Sequence, residues 1–120
     1  MRVAIAVTVL ISGFSHAYLY VHGYQHIPHI GAAFLLQASV CGAVAVLLVL
    51  GGPDWLRWVA AALAAGSLVA FALSRTIGVL GFTERGWQPS PHAAISAVAE
   101  ALTVVLWATW MLSRRAAAAR

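Results

Sequence analysis

Long apolar runs, broken by short polar segments that carry glycine and proline, set the pattern of this chain. Residues 3–21, 30–50, 55–80 and 92–112 are almost wholly apolar. Each reaches the roughly 20 residues that a helix needs to cross the hydrocarbon core of a bilayer. The segments between them are 22–29 (HGYQHIPH), 51–54 (GGPD) and 81–91 (GFTERGWQPSP). All three contain Gly and Pro, which interrupt helices. Pro53 and Pro91 stand just ahead of the third and fourth runs, where a missing backbone N–H is harmless. Asp54 offers a side-chain cap to the third. The pattern predicts an all-α membrane protein, a single domain over 1–120 with four transmembrane helices. Loops this short make neighbouring helices antiparallel, in an up-down-up-down bundle. Gly13, Gly42, Ala61, Ala65 and Gly66 provide small positions where helix backbones can approach closely.

The first run also has features of a secretory signal, with Arg2 ahead of an apolar stretch and Ser15-His16-Ala17 as an approximate cleavage site. The apolar run continues through Tyr18-Leu19-Tyr20-Val21 to spanning length, so it is read as a membrane span.

Composition supports the same class. Hydrophobic residues make up 62% of the chain and charged residues only 8%, against about a quarter in a soluble domain. Mean hydropathy is +0.90. Water does not solvate a compact particle carrying so little charge, so the expected surroundings are lipid. The net charge of +4 comes from arginines scattered singly and at the termini. They form no basic stripe with interleaved aromatics, which argues against a nucleic-acid partner. Cys41 is the only cysteine, so an internal disulfide, a CxxC redox pair and a four-thiolate metal site are all excluded.

The arginines predict orientation. With four spans, Arg2, Arg57, Arg114, Arg115 and Arg120 share one side, whereas Arg75 and Arg85 belong to the other. Cytoplasmic loops carry the excess of positive charge. Both termini are therefore expected in the cytoplasm of a plasma-membrane protein, with the histidine-rich 22–29 loop outside. Trp55, Trp58, Trp107 and Trp110 then fall near the cytoplasmic interface, and Tyr18, Tyr20, Tyr24 and Trp87 near the outer one.

Polar residues inside the apolar runs are the candidate chemistry, because such positions are costly in hydrocarbon. At 1.5 Å per residue, His16, Gln37, Arg75 and Glu100 all come out roughly 8–12 Å below the outer boundary, one on each span. This predicts a buried network in which Arg75 pairs bidentately with Glu100 while His16 and Gln37 complete it. Ser12 and Ser96 lie one helical turn from His16 and Glu100 respectively.

The histidines suggest two cofactor readings. His22, His26 and His29 in the first outer loop, with His92 at the start of the fourth run, offer imidazoles to copper or zinc, and Glu84 is a carboxylate in reach from the other loop. A b-type haem instead needs two imidazoles from different helices, and His16 with His92 is the pair available.

Several motifs resemble a group of small actinobacterial four-helix membrane proteins. They are His16-Ala17-Tyr18-Leu19-Tyr20, then Gly23-Tyr24-Gln25-His26-Ile27-Pro28-His29-Ile30-Gly31, then Phe34-Leu35-Leu36-Gln37. The stretch from Leu73 to Phe82 and Glu100 are similar as well. The resemblance implies four spans and carries no activity. Gln25 and Gln37 stand where that pattern has Arg and Asn, so an anion-binding role for the arginine does not carry over.

With no nucleophile–base pair and no phosphate loop in the sequence, the leading expectation is a non-catalytic protein. Its expected role is an accessory or partner-binding subunit of a larger membrane assembly, with other membrane subunits or further copies of itself as partners besides the lipid. A redox or metal protein built on the histidines is one alternative. A small-molecule binder or carrier with an Arg75/Glu100 pocket is the other.

Overall fold

The computed structural model describes all 120 residues, which form four α-helices and no strand: α1 (Arg2–Val21), α2 (Ile30–Val49), α3 (Trp55–Ser74) and α4 (His92–Ala118). A single 3-10 turn at Tyr24–His26 lies in the first loop. All four helices are long enough and apolar enough to cross a membrane. At 1.5 Å per residue, α1, α2 and α3 are each about 30 Å long, the thickness of a hydrocarbon core.

Two boundaries differ from the sequence expectation by more than one residue. The third helix ends at Ser74 instead of continuing to Leu80. Gly78 adopts a φ of +89°, and its N–H turns back to the Leu73 carbonyl at 2.7 Å, a left-handed glycine closure of the kind that ends helices. Ile77 and Leu80, apolar by type, are left exposed on the loop that follows. The fourth helix runs on to Ala118 instead of stopping near Leu112, since Ser113 to Ala118 contain no helix breaker.

Contacts between α1 and α4 run in reversed order: Thr8 meets Thr103, Ser12 meets Glu100, and Ser15 meets His92. Those of α3 do likewise, from Trp58 against Trp107 of α4 to Phe71 against Trp87 in the loop that precedes α4. Arg2 approaches Gly51, and Arg114 pairs with Asp54, so both ends of the chain and the 51–54 loop share one end of the bundle. That end is called the terminal end below, and the opposite one the loop end. Asp54 does not use its side chain to cap α3. Its carboxylate is drawn to Arg57 and Arg114, each at 2.8 Å.

The hydrophobic core sits toward the terminal end. Ile5, Ala6 and Val9 of α1 pack there with Cys41, Val44, Ala45 and Leu48 of α2 and with Leu56 and Ala60 of α3. Small residues bring these backbones together, though not all that were expected to. A Cβ on Gly13 would meet the Cys41 Cβ at 2.8 Å, and Ala61 is buried. Gly42 and Gly66 face open space, and Ala65 is exposed. Helices α1 and α2 share the most extensive packing of any pair. Helices α2 and α3 meet less closely than α1 with α2 or α3 with α4.

Only 24 of the 120 residues are buried, so most apolar side chains point outward. Val7, Leu10 and Phe14 of α1, Leu36 and Leu47 of α2, Val69 of α3, and Val98, Leu102 and Val105 of α4 are all exposed. Exposed to water, such surface costs about 25 cal/mol per Å². Hydrocarbon removes that cost, and the exterior of the bundle is that of four candidate spans.

Candidate functional site

Glu100 is the most enclosed charged residue in the chain, 2% exposed on the inner face of α4. Two hydroxyls hold it. Ser12 Oγ donates across from α1 at 3.0 Å, and Ser96 Oγ donates from one turn earlier on α4, also at 3.0 Å. Both bonds go to the same oxygen, Oε2. One turn deeper, the Thr8 and Thr103 hydroxyls meet at 2.7 Å, extending a polar seam between α1 and α4. Thr8 and Thr103 were not singled out from the sequence. Each is a hydroxyl within an apolar run, and that position is the signal that could have identified them.

Of the four residues expected to form one network, the structure gathers three around this seam. His16 Nδ1 lies 2.8 Å from the Ser12 carbonyl, which can only accept, so Nδ1 is the donor. In the neutral ring Nε2 is then the acceptor, and it faces Ser67 Oγ at 3.4 Å. Ser67 is the only hydroxyl residue in the middle of α3, and that isolation within an apolar run is the signal that marks it in the sequence. Gln37 lines a small void with Ser12, Cys41, Glu100 and Thr103. Its Nε2 is buried there with no hydrogen-bond partner.

Arg75 is the residue that does not join. Because α3 stops at Ser74, Arg75 is its C-cap and turns toward the loop end. Its Nε donates to the Gly86 carbonyl at 3.0 Å, and its Nη1 to Ser74 Oγ at 2.6 Å. Nη2 donates to the Gln88 carbonyl, and the guanidinium lies over the Phe71 ring at 4.0 Å. The expected Arg75–Glu100 pair is absent, and both ion pairs of the chain involve Asp54 instead.

Above Glu100, toward the loop end, all four helices border a pocket of about 150 Å³. Leu19, Tyr24, Phe34, Phe71, Val79 and Phe82 give it apolar and aromatic walls. Polar groups reach it from His16, Ser67, Arg75, His92, Ser96 and Glu100. The aromatic walls brace one another, with Phe34 4.8 Å from His16 and 4.7 Å from Tyr24, and Tyr24 5.6 Å from Phe82. Tyr24 also donates its hydroxyl to Glu84 Oε1 at 2.9 Å, tying the two loops together. Burial, aided by the Glu84 carboxylate, pushes the Tyr24 phenol well above the ordinary tyrosine range.

The loop histidines do not converge. Helix α1 ends at Val21 and Gly23 has a φ of +139°, so His22 and His26 do not share a helix face. His22 donates to the Tyr18 carbonyl at 2.8 Å and stacks on the Tyr18 ring, whose centroid also lies 4.1 Å from that of His92. His26 and His29 are exposed. Nowhere do three His, Cys, Asp or Glu side chains gather as metal ligands. Glu84 is engaged by Tyr24 rather than by a histidine. His16 and His92 both border the pocket, whose volume of about 150 Å³ matches a single benzene-sized ring.

Searches against protein-family models, characterised proteins and solved structures return no match to this chain.

Proposed function

We propose that this chain is a non-catalytic, multi-pass protein of the plasma membrane that binds a small, largely apolar molecule in the pocket above Glu100. The observation that carries this reading is the pocket: about 150 Å³, walled by aromatic rings, with a few polar groups converging from all four helices. That combination of an apolar cavity and few placed polar groups is the usual form of a small-molecule site.

In this reading the helices run up-down-up-down, with both termini and the 51–54 loop in the cytoplasm. The supporting feature is the arginine bias, since Arg2, Arg57, Arg114, Arg115 and Arg120 belong to the terminal end. The pocket then lies in the outer half of the bilayer, and the loops 22–29 and 75–91 cover it from the extracytoplasmic side.

A ligand-binding role is preferred to that of an accessory subunit because the pocket is a specific feature, whereas the exposed apolar faces are what lipid alone requires. A hydrolytic role is disfavoured. Ser67 faces His16 at 3.4 Å, but a carbonyl holds the other ring nitrogen, where a hydrolase triad has a carboxylate.

The test uses purified protein in detergent micelles, titrated with benzyl alcohol and followed by saturation-transfer NMR. Ala93 is buried against the pocket, and Ala93→Leu fills part of it. Saturable binding to the wild type that is lost in Ala93→Leu supports the reading. Identical signals from the two proteins would overturn it, because they would report partition into the micelle alone.

A further inference from the structure

Glu100 poses a charge problem that the protein does not solve internally. A carboxyl group enclosed among four candidate spans is expensive, and such groups are usually paired with a cation. Here its protein partners are two serine hydroxyls, both on Oε2. No arginine pairs with it, since Arg75 is spent on Gly86, Gln88 and Ser74. Glu100 nevertheless borders the pocket, with aromatic rings above it.

We propose that the pocket selects a small organic ammonium carrying a single apolar ring. The ammonium sits against the Glu100 carboxylate, and the ring lies among Phe34, Phe82 and Tyr24. This deepens the ligand-binding reading given above and rests on it.

Three features point the same way. The carboxyl side chain is 2% exposed and takes no protein bond on Oε1, leaving an acceptor for an N–H donor. Charge-assisted bonds to a buried carboxylate are the strong kind. The aromatic walls of Phe34, Phe82 and Tyr24 offer tilted or edge-on partners to the apolar ring of such a ligand. Finally, a volume of about 150 Å³ matches one benzene-sized ring, which sets the size of the ligand. Arg75 also borders the pocket but lies at the loop end with three of its five N–H donors engaged, whereas Glu100 is eight residues into α4, roughly 12 Å deeper. The ammonium is therefore directed inward, away from the guanidinium.

The experiment compares three probes of equal size, benzylammonium, benzyl alcohol and benzoate, on the wild type and on Glu100→Gln in the same micelles. The wild type is expected to bind benzylammonium at least roughly tenfold more tightly than benzyl alcohol, with benzoate the weakest. Glu100→Gln is expected to bind benzylammonium and benzyl alcohol alike. Equal binding of the two by the wild type would overturn the ammonium assignment and leave the pocket reading standing. Binding of neither would overturn both. Retention of the preference in Glu100→Gln would place the cation elsewhere and also overturn the assignment. The wild-type ranking decides the preference for an ammonium even if Glu100→Gln does not fold.

Discussion

Ser12 on α1 reaches Glu100 on α4 with a 3.0 Å hydrogen bond across 88 residues of sequence. It joins the first helix to the last at a carboxyl group that is 2% exposed. Removing that donor leaves a buried carboxyl with one hydroxyl fewer. Hydrogen bonds between membrane helices average about 0.6 kcal/mol, and bonds to charged groups are stronger. Ser12→Ala and Ser96→Ala should each destabilise by about 1–2 kcal/mol. Because both serve Oε2, the double variant should depart from additivity. Reversible unfolding in mixed micelles checks this.

Gln37 should behave oppositely. Its Nε2 is buried without a partner, so its amide is a cost with no return in the structure. Gln37→Met keeps the length and removes the orphan donor. It should be neutral or stabilising by up to about 1 kcal/mol in the same unfolding assay, while Ser12→Ala lowers stability.

Gly13 and Cys41 set the closest approach of α1 and α2. An added Cβ at Gly13 meets the Cys41 Cβ at 2.8 Å, a distance that forces the helices apart. Gly13→Ala should cost about 1–3 kcal/mol through overpacking. Adding Cys41→Gly removes the opposing carbon, so the double variant should be more stable than the sum of the two single effects predicts. Thermal melts followed by circular dichroism measure all four proteins.

Tyr24 gives the protein a pH dependence outside the membrane spans. Its phenol is raised by burial and by the Glu84 carboxylate, so the folded state holds this proton more tightly than the unfolded chain does. The associated stability is fully present below the ordinary tyrosine value of about 10 and is lost as pH rises through the folded value. An absorbance titration of phenolate should show a late ionisation in the wild type that is lost in Tyr24→Phe. The same late ionisation in both proteins would contradict the Tyr24–Glu84 contact.

The four candidate spans are legible in the sequence because a bilayer demands long apolar runs, and each run corresponds to one of the four helices. The Ser12 and Ser96 contacts to Glu100 follow the one-turn spacing visible in the chain. The place of Arg75 is not legible by counting. Depth along a run assumes that the helix continues, but α3 ends at Ser74, and the left-handed Gly78 beyond it turns its N–H back to the Leu73 carbonyl. Once Ser74 is the last helical residue, Arg75 belongs to the loop and finds carbonyls there. The pocket walls were equally hidden. Phe34, Phe71 and Phe82 read as ordinary apolar residues, and only packing shows that they enclose space.

Occupancy of the pocket is tested most directly by locating a heavy atom. Crystals grown in lipid and soaked with 4-bromobenzyl alcohol should show an anomalous bromine peak bounded by His16, Phe34, Phe71 and Glu100. A peak found only on the outer helix faces, or none at all under saturating ligand, would contradict the assignment of this space as a binding site.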